Sequence, residues 1–184
     1  MNVPQLIEQI EHWRDNYDGA AMKSLELILY LLRGSERPFE RDQYAPGHIT
    51  ATALVLNENA DSVLLVHHRR LDRWLLPGGH VEAHDQNIFD ASCREAVEET
   101  SVRLHPDFAP YVAGFDVHGI PSNGKEPYHL HHDILIGLSA ASGSLKVSEE
   151  SRAVVWCPFA DLPRYDVPRN ILLRLEAAID GSRS

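Results

Sequence analysis

The chain has 184 residues, of which 43% are hydrophobic and 24% charged, so it can bury an ordinary core as one domain with a modest extension. Its formal net charge of -10 argues against nucleic-acid binding, which needs clustered lysine and arginine, but permits a small anionic ligand held by local arginines or metal ions. The longest apolar run is too short to span a membrane, and Cys93 and Cys157 predict neither a disulfide framework nor a zinc site, so we expect a cytoplasmic protein.

Two helices are predicted ahead of the first strand. Residues 4–17 carry apolar side chains at helical spacing, namely Leu6, Ile10, Trp13 and Tyr17. A second helix is predicted over 20–33, with Gly34 ending it. Residues 1–44 are therefore interpreted as a helical extension, which either caps the following domain or forms a homodimer contact.

Residues 45–184 are predicted to form the main domain, in which strands alternate with helices. The charged and turn-rich segment 160–168 separates the last strand from the last helix. This order predicts the α/β class, with a mixed sheet and helices on both faces. The predicted strands are 48–57, 62–69 (expected to pair with the first), 111–118, 130–138 and 152–157, and the helices are 87–100 and 168–180.

The central helix carries three glutamates on one turn. With Phe89 as reference, Cys93, Ala96, Val97 and Thr100 fall within about 80° of it and form the predicted core face. Glu95, Glu98 and Glu99 fall together on the far side, where they repel one another near the unfavourable end of the helix dipole. A hard divalent cation would relieve both penalties, because Mg²⁺ prefers carboxylate oxygens.

The stretch GGHVEAHDQNIFDASCREAVEETSV, residues 78–102, resembles the Nudix box, whose usual form is G-x5-E-x7-R-E-U-x-E-E-x-G-U with U aliphatic. The flanking RWLLPGGHVE and VVWCPFADLP are also similar to that superfamily. The resemblance implies a Nudix-type α/β/α sandwich. The matching positions are Gly79, Arg94, Glu95, Ala96, Glu98, Glu99 and Val102.

The box departs from the usual form in three places. Asp85 stands at the first acidic position, and the spacer from Asp85 to Arg94 is one residue longer, which puts Gln86 where strict counting wants a carboxylate. Ser101 replaces the closing glycine, at a position after the helix where a left-handed backbone is favoured. The first two changes are expected to affect the loop ahead of the helix and not its metal-binding face. The longer spacer resembles that of one bacterial Nudix subgroup.

The resemblance implies a set of Mg²⁺ ligands, with Mn²⁺ as an alternative ion. Glu98 and Glu99 would be core ligands, Glu95 a further ligand or a base acting through water, and the Gly78 carbonyl a member of the metal shell. Arg94 would hold the glutamates by charge-assisted hydrogen bonds.

A general base is expected from the loop before the late strand, as in many family members. Glu149 and Glu150 are the candidates there, and Glu150, six residues before Trp156, fits the family spacing better. The alternative for Glu150 is an ordinary solvated loop glutamate.

Substrate contacts are predicted around the end of the second predicted strand and at the start of the fourth. Arg69, Arg70 and Trp74 could grip a phosphate or stack on a base, although Trp74 fits equally well as a packed hydrophobe. In an extended segment, His129, His131 and Asp133 share one face, which suits an extra metal or a phosphate grip, with His131 as a substrate-binding candidate. The alternative is a set of polar strand residues facing an empty cleft.

The Nudix resemblance implies hydrolysis of a nucleoside diphosphate linked to another moiety, or of a related small diphosphate metabolite. One alternative is an isomerase of the isopentenyl-diphosphate type, which uses a cysteine and a histidine-rich metal site. Another is a non-catalytic nucleotide sensor, which would call for an added basic DNA-binding domain. The intact glutamate cluster favours the hydrolase.

Overall fold

The computed structural model describes residues 1–14, 19–141 and 143–167, together with Leu172 and Leu175. Helix α1 spans Val3–His12, shorter than the predicted 4–17, and α2 spans Gly19–Gly34. The predicted last helix, 168–180, lies outside the described residues except at Leu172 and Leu175.

Both N-terminal helices contribute side chains to the main core. Leu6 and Ile10 of α1 and Leu25 and Ile28 of α2 are at most 1% exposed and belong to one hydrophobic cluster with the sheet. Burial of each such side chain stabilises the fold by about 1.5–3 kcal/mol. The described part of the extension therefore caps the domain.

Seven strands in the described part of the chain form one mixed sheet of order β3-β2-β1-β6-β5, with β4 beside β1 and β7 beside β2. The central strand β1 runs parallel to β6 and antiparallel to β2 and β4. This mixed α/β architecture confirms the predicted fold class. The strands are β1 His48–Leu56, β2 Ser62–His68, β3 Arg73–Leu75, β4 Gly78–His80, β5 Tyr111–Ile120, β6 His129–Ser139 and β7 Ser151–Pro158.

The predicted pairing of β2 with β1 holds only at Leu56 and Val63. Strand β2 instead pairs along its length with β7, and the remaining edge of β1 is taken by β4. The turn chemistry between β1 and β2 could not reveal this, because β7 is distant in sequence. The result is that a three-residue strand lies beside the start of β1.

The two faces of β1 have different neighbours, because side chains alternate along a strand. Ile49, Ala51 and Ala53 join the cluster that also holds apolar residues of all three α-helices. Leu54 and Leu56 join a second cluster, together with Leu162 of the 3₁₀ helix Phe159–Tyr165, which occupies part of the predicted turn region. The start of this second face, at His48, Thr50 and Thr52, is left for polar side chains.

Helix α3 spans Ile88–Thr100 and is capped at both ends. The Oδ1 atom of Asn87 accepts the backbone N–H of Asp90 at 3.0 Å. Ser101 adopts the left-handed conformation with φ 55° and donates its backbone N–H to the Val97 carbonyl at 2.8 Å. Ser101 thus takes the backbone conformation expected of the glycine it replaces.

The predicted core face of α3 is wrong in part. Ala96 and Thr100 are buried as expected, but Val97 is 45% exposed and Glu99 only 7% exposed. The helix is rotated so that its glutamate-bearing edge turns inward towards β4. Apolar periodicity alone could not show this, because the carboxylates line a polar cleft and the opposite edge meets solvent.

Among the described residues, no helix combines the length and apolar character needed to cross a bilayer.

Candidate active site

A cleft of about 960 Å³ opens between α3, β4 and the adjoining ends of β1, β5 and β6. Its lining includes most of the predicted site residues, namely Arg69, Arg70, Gly78, Arg94, Glu95, Glu98, Glu99, His131 and Glu150. The fold therefore brings together positions that are up to 81 residues apart in sequence, from Arg69 to Glu150.

The three glutamates of α3 differ in burial. The side chain of Glu98 is 59% exposed, whereas that of Glu95 is 14% exposed. Burial, followed by the nearby charge of Glu95, raises the pKa of Glu99 to about 8, although the Gly78 backbone N–H donates to its Oε2 atom at 3.3 Å. Burial likewise raises the pKa of Glu95. The raised pKa means that the surroundings of Glu99 do not offer enough positive charge to offset the burial of its ionised carboxylate.

Arg94 organises the outer carboxylates but does not reach Glu99. Its Nη1 atom donates to Glu95 at 2.9 Å and to Glu98 at 3.0 Å. Its Nη2 atom donates to the backbone carbonyl of His80 at 2.9 Å. The predicted holding role of Arg94 is thus present in the geometry, and the arginine also ties α3 to β4.

Asp85 anchors Arg94 from the loop ahead of α3. It accepts from the arginine Nε at 3.0 Å and from Nη2 at 2.9 Å, while only 4% of the residue is exposed. Burial favours the neutral acid, yet hydrogen bonds from Arg94 and the Glu82 backbone N–H keep the Asp85 pKa below its usual value. The expectation that this departure concerns only the loop was too narrow, because Asp85 bonds Arg94, which in turn bonds Glu95 and Glu98 on the glutamate-bearing face of α3.

Two glycines let β4 approach its neighbours. A Cβ atom on Gly79 would lie 2.6 Å from the Oε1 atom of Glu95, and one on Gly78 would lie 2.8 Å from the Ala51 carbonyl oxygen. A side chain at either position would displace the helix carboxylate or the strand backbone. The glycines therefore define the distance between α3, β4 and β1.

Glu150 and the two arginines, Arg69 and Arg70, also line the cleft. The backbone N–H of Arg69 donates to the Glu150 carbonyl at 2.9 Å, and the Arg69 guanidinium donates to the Ser151 carbonyl at 3.1 Å. After burial and Glu95, the charge of Glu150 also contributes to the raised pKa of Glu99. Glu150 is thus close enough to interact electrostatically with Glu99.

Trp74 lies outside the cleft lining and packs with the second hydrophobic cluster. Its ring centroid is 4.9 Å from that of His67 and 5.0 Å from that of Tyr165. Its substrate-binding role stays a prediction, and the packed alternative agrees with these contacts.

Histidines from three strands, His48, His80 and His131, lie close together, and His80 and His131 line the cleft. The ring centroid of His48 lies 5.1 Å from that of His80 and 4.9 Å from that of His131. Burial, followed by the charge of His48, lowers the pKa of His80 to about 4 and that of His131 to about 2, so these rings are uncharged at neutral pH.

His131 was expected beside His129 and Asp133, but His48 and His80 were not predicted as site residues. Asp133 also lines the cleft, and its Oδ1 atom accepts from the Thr50 hydroxyl at 3.0 Å. His129 is buried, with its ring centroid 5.2 Å from that of His131. The parallel pairing of β1 with β6, which brings His48 beside His131, left no local signal in the sequence.

A sequence model of the NUDIX domain matches residues 46–175. No curated protein sequence matched the chain.

Solved structures show the same fold at low identity. The MutT protein from Bacillus halodurans is 21% identical, with a TM-score of 0.56 over 71% of this chain and 81% of that one. The NUDIX domain of Shewanella oneidensis NrtR, in complex with ADP ribose, is 19% identical, with a TM-score of 0.58 over 82% and 95%. A Caenorhabditis elegans Ap4A hydrolase is 18% identical, with a TM-score of 0.50 over 70% and 93%.

The family match covers well over half of the chain and includes the whole of α3 and β4. The chain therefore belongs to the Nudix family and is an enzyme of the Nudix pyrophosphohydrolase type.

Proposed function

We propose that the chain is a Mg²⁺-dependent hydrolase that cleaves the diphosphate linkage of a nucleoside diphosphate joined to another moiety, or of a related small diphosphate metabolite. The observation that carries this proposal is the buried carboxylate of Glu99, which lies beside Glu95 with no basic side chain bonded to it among the described residues. Such a group gains stability from a bound cation.

The donor set fits a hard divalent ion. Glu95, Glu98 and Glu99 offer carboxylate oxygens, and the Gly78 carbonyl lies on the strand facing them. We assign these four residues as the Mg²⁺ ligands, with Mn²⁺ as an alternative ion. When bound, the ion would offset the negative charge of a diphosphate and acidify an attacking water.

Orientation of the ligands, proton transfer and phosphate binding would be carried out by the protein's own side chains. Arg94 would keep Glu95 and Glu98 oriented, as it does through its hydrogen bonds. Glu150 would take the proton of the attacking water. Arg69 and Arg70, which also line the cleft, would bind phosphate oxygens, and His131, another lining residue, would contact the substrate.

The nature of the substrate is supported by the similar structures. The NrtR domain was solved with ADP ribose, and another similar structure is an Ap4A hydrolase. Both ligands join a nucleotide to a second group through a phosphate chain. We therefore propose that the 960 Å³ cleft takes a ligand of this class.

The isomerase alternative requires a cysteine in the site. Cys93 packs against the first hydrophobic cluster and Cys157 is fully buried in the second, and neither lines the cleft. Hydrolysis therefore agrees better with the described residues. The sensor alternative predicts ligand binding without turnover, which the experiment below distinguishes.

The test is mass-spectrometric product analysis of the purified protein over a library of diphosphate metabolites with Mg²⁺. We expect cleavage by the wild type and strong loss in Glu98→Gln. Glu58→Gln, at an exposed turn remote from the cleft, is the matched control and should keep full activity. Cleavage that persists unchanged in Glu98→Gln or without divalent ions would contradict the proposal, and binding without cleavage would favour the sensor.

We also propose a cytoplasmic protein in which residues 1–44 extend a Nudix domain of residues 45–184. Leu27 and Tyr30 on α2 are 47% and 72% exposed and would form the homodimer contact. Light scattering should give twice the chain mass for the wild type and a lower mass for Tyr30→Ser. A monomeric wild type would remove the dimer from the proposal.

A further inference from the structure

His48, His80 and His131 converge from three strands of the sheet. One ring nitrogen from each lies within 4.8 Å of the corresponding nitrogens of the other two. Register fixes this arrangement, because His48 is the direct partner of His131 in the β1–β6 pair and His80 is the partner of Thr50 in the β1–β4 pair. Backbone pairing, and not a flexible loop, therefore positions the three imidazoles.

The two ring nitrogens of His48 have different surroundings. Nδ1 lies 3.2 Å from the backbone carbonyl oxygen of Gln43, which can only accept, so Nδ1 carries the proton and Nε2 carries a lone pair. Nε2 is buried and has no hydrogen-bond partner in the described part of the chain. Leaving a buried acceptor without a hydrogen-bond partner is unfavourable, because its desolvation is not compensated. The protein thus holds an unsatisfied lone pair beside the cluster.

The neighbouring rings are placed to share an ion with this lone pair. Nitrogens on one tetrahedral zinc ion lie roughly 3.3 Å apart, given Zn–N distances of about 2.0–2.1 Å. The ring nitrogens are at most 4.8 Å apart. Side-chain rotations that move the nitrogens of His80 and His131 by about an ångström each would bring them to the separation found on a zinc ion. Both of these side chains line the cleft, so an ion there would keep an open position towards it.

The ligand type selects the ion. Uncharged imidazoles suit Zn²⁺, Co²⁺ and Ni²⁺, whereas Mg²⁺ prefers carboxylate, carbonyl and water oxygens. Metal-bound histidines commonly donate their second nitrogen to a backbone carbonyl, which is the arrangement of His48 with Gln43. The histidine cluster therefore differs chemically from the glutamate cluster of α3.

We propose that His48, His80 and His131 form a second metal site, which binds one transition-metal ion of the zinc class with an open coordination position facing the cleft. This site does not depend on the hydrolase proposal. It shares β4 with the glutamates, since the His80 carbonyl accepts from Arg94 and Gly79 lies against Glu95. A ligand in the cleft would meet both sites.

The test is titration of the chelator-treated full chain with Co²⁺, followed by visible absorption spectroscopy, and with Zn²⁺, followed by calorimetry. We expect that one Co²⁺ per chain gives the absorption of a nitrogen-bound ion of low coordination number, whatever further Co²⁺ the glutamate cluster takes up. His80→Asn and His131→Asn should each weaken binding by at least the 10–100-fold typical of losing an outer-shell partner. His105→Asn, at an exposed loop, is the control and should bind as the wild type does.

Two further measurements separate the proposal from other outcomes. Glu98→Gln should keep the Co²⁺ absorption, because it changes only the glutamate cluster. Circular dichroism should show that the two partly exposed histidine variants remain folded, which His48→Asn, at a fully buried position, does not ensure. The proposal is overturned if the wild type gives no such absorption, if both folded histidine variants keep it, or if only Glu98→Gln loses it.

Discussion

The site has a glutamate end on α3 and a histidine end on β1, β4 and β6, and burial affects the pKa values of the two in opposite ways. At the glutamate end, burial raises the pKa of Glu99 to about 8, and at the histidine end it lowers the pKa of His131 to about 2. Low polarity disfavours the charged form of either group, so the acid tends to stay protonated and the base stays neutral. Both ends would gain from a cation, but a carboxylate cluster favours a hard ion and neutral imidazoles favour a zinc-class ion.

One short strand holds both ends in place. In β4, Gly78 donates to Glu99, Gly79 lies against Glu95, and His80 joins the imidazoles. Because Gly78 and Gly79 have no side chains, α3 can approach the backbone of β4 closely. The next residue, His80, places its ring beside those of His48 and His131. The Pro-Gly-Gly-His segment thus joins the two proposed sets of metal ligands.

The largest effect is expected at the glutamate end. Glu99→Gln should lower turnover of the diphosphate substrate about 10³-fold or more, because it removes a ligand of an ion worth several kcal/mol of transition-state stabilisation. Steady-state kinetics at saturating Mg²⁺ would measure this. A loss of less than tenfold would place the essential ion elsewhere, for example at the histidine end.

The next largest effect is expected for Glu150, the proposed general base. Glu150→Gln should lower kcat about 10²-fold, at the low end of the usual range for general bases, because other carboxylates lie nearby. Glu149→Gln, one residue away, is the matched control and should keep kcat. Equal effects of the two substitutions would return Glu150 to an ordinary loop glutamate.

The same Glu99→Gln variant should be more stable than the wild type when metal is absent. A folded pKa of about 8 against the usual 4.5 means that native Glu99 binds its proton more tightly, so wild-type stability falls as pH rises through that window. Above pH 8 the free energy of unfolding of the variant should exceed that of the wild type by about 1–3 kcal/mol, and below pH 4.5 the two proteins should be equally stable. Urea unfolding at several pH values would test the sign, and a variant less stable at high pH would contradict it.

Asp85→Asn should lower the free energy of unfolding by about 2 kcal/mol at pH 7, because it breaks a buried pair with Arg94. The folded pKa of Asp85 lies below 3.8, so the wild type holds this stability at neutral pH and loses it as pH falls below that value. The difference between variant and wild type should shrink there. Asp107→Asn, at an exposed position, should change little at any pH.

The smallest effect is expected for two predicted substrate-binding residues, Arg70 and Trp74. Arg70→Gln should raise KM about tenfold if its guanidinium binds phosphate, since a charge-assisted hydrogen bond contributes about 1.5–3 kcal/mol. Trp74→Phe should leave KM within about twofold and lower stability by about 1 kcal/mol, because its ring packs on Tyr165. A rise in KM for Trp74→Phe alone would restore its stacking role.

The sequence by itself determined the mixed α/β class, five of the seven strands in the described part of the chain, and the placement of Glu95, Glu98 and Glu99 beside Arg94 on one helix. These features are local, since alternation and helical spacing act over a few residues. The left-handed conformation of Ser101 was predictable for the same reason, as it depends only on the end of one helix.

Only the tertiary structure decided which side of α3 turns inward and what meets it there. Val97 was expected in the core and Glu99 on the far side, yet the helix packs with Glu99 against β4 because a polar cleft lies there. The convergence of His48 and His80 with His131 likewise depends on strand register over 83 residues, from His48 to His131. Pairing of distant strands is set by the packing of the whole sheet, and no local pattern in the chain encodes it.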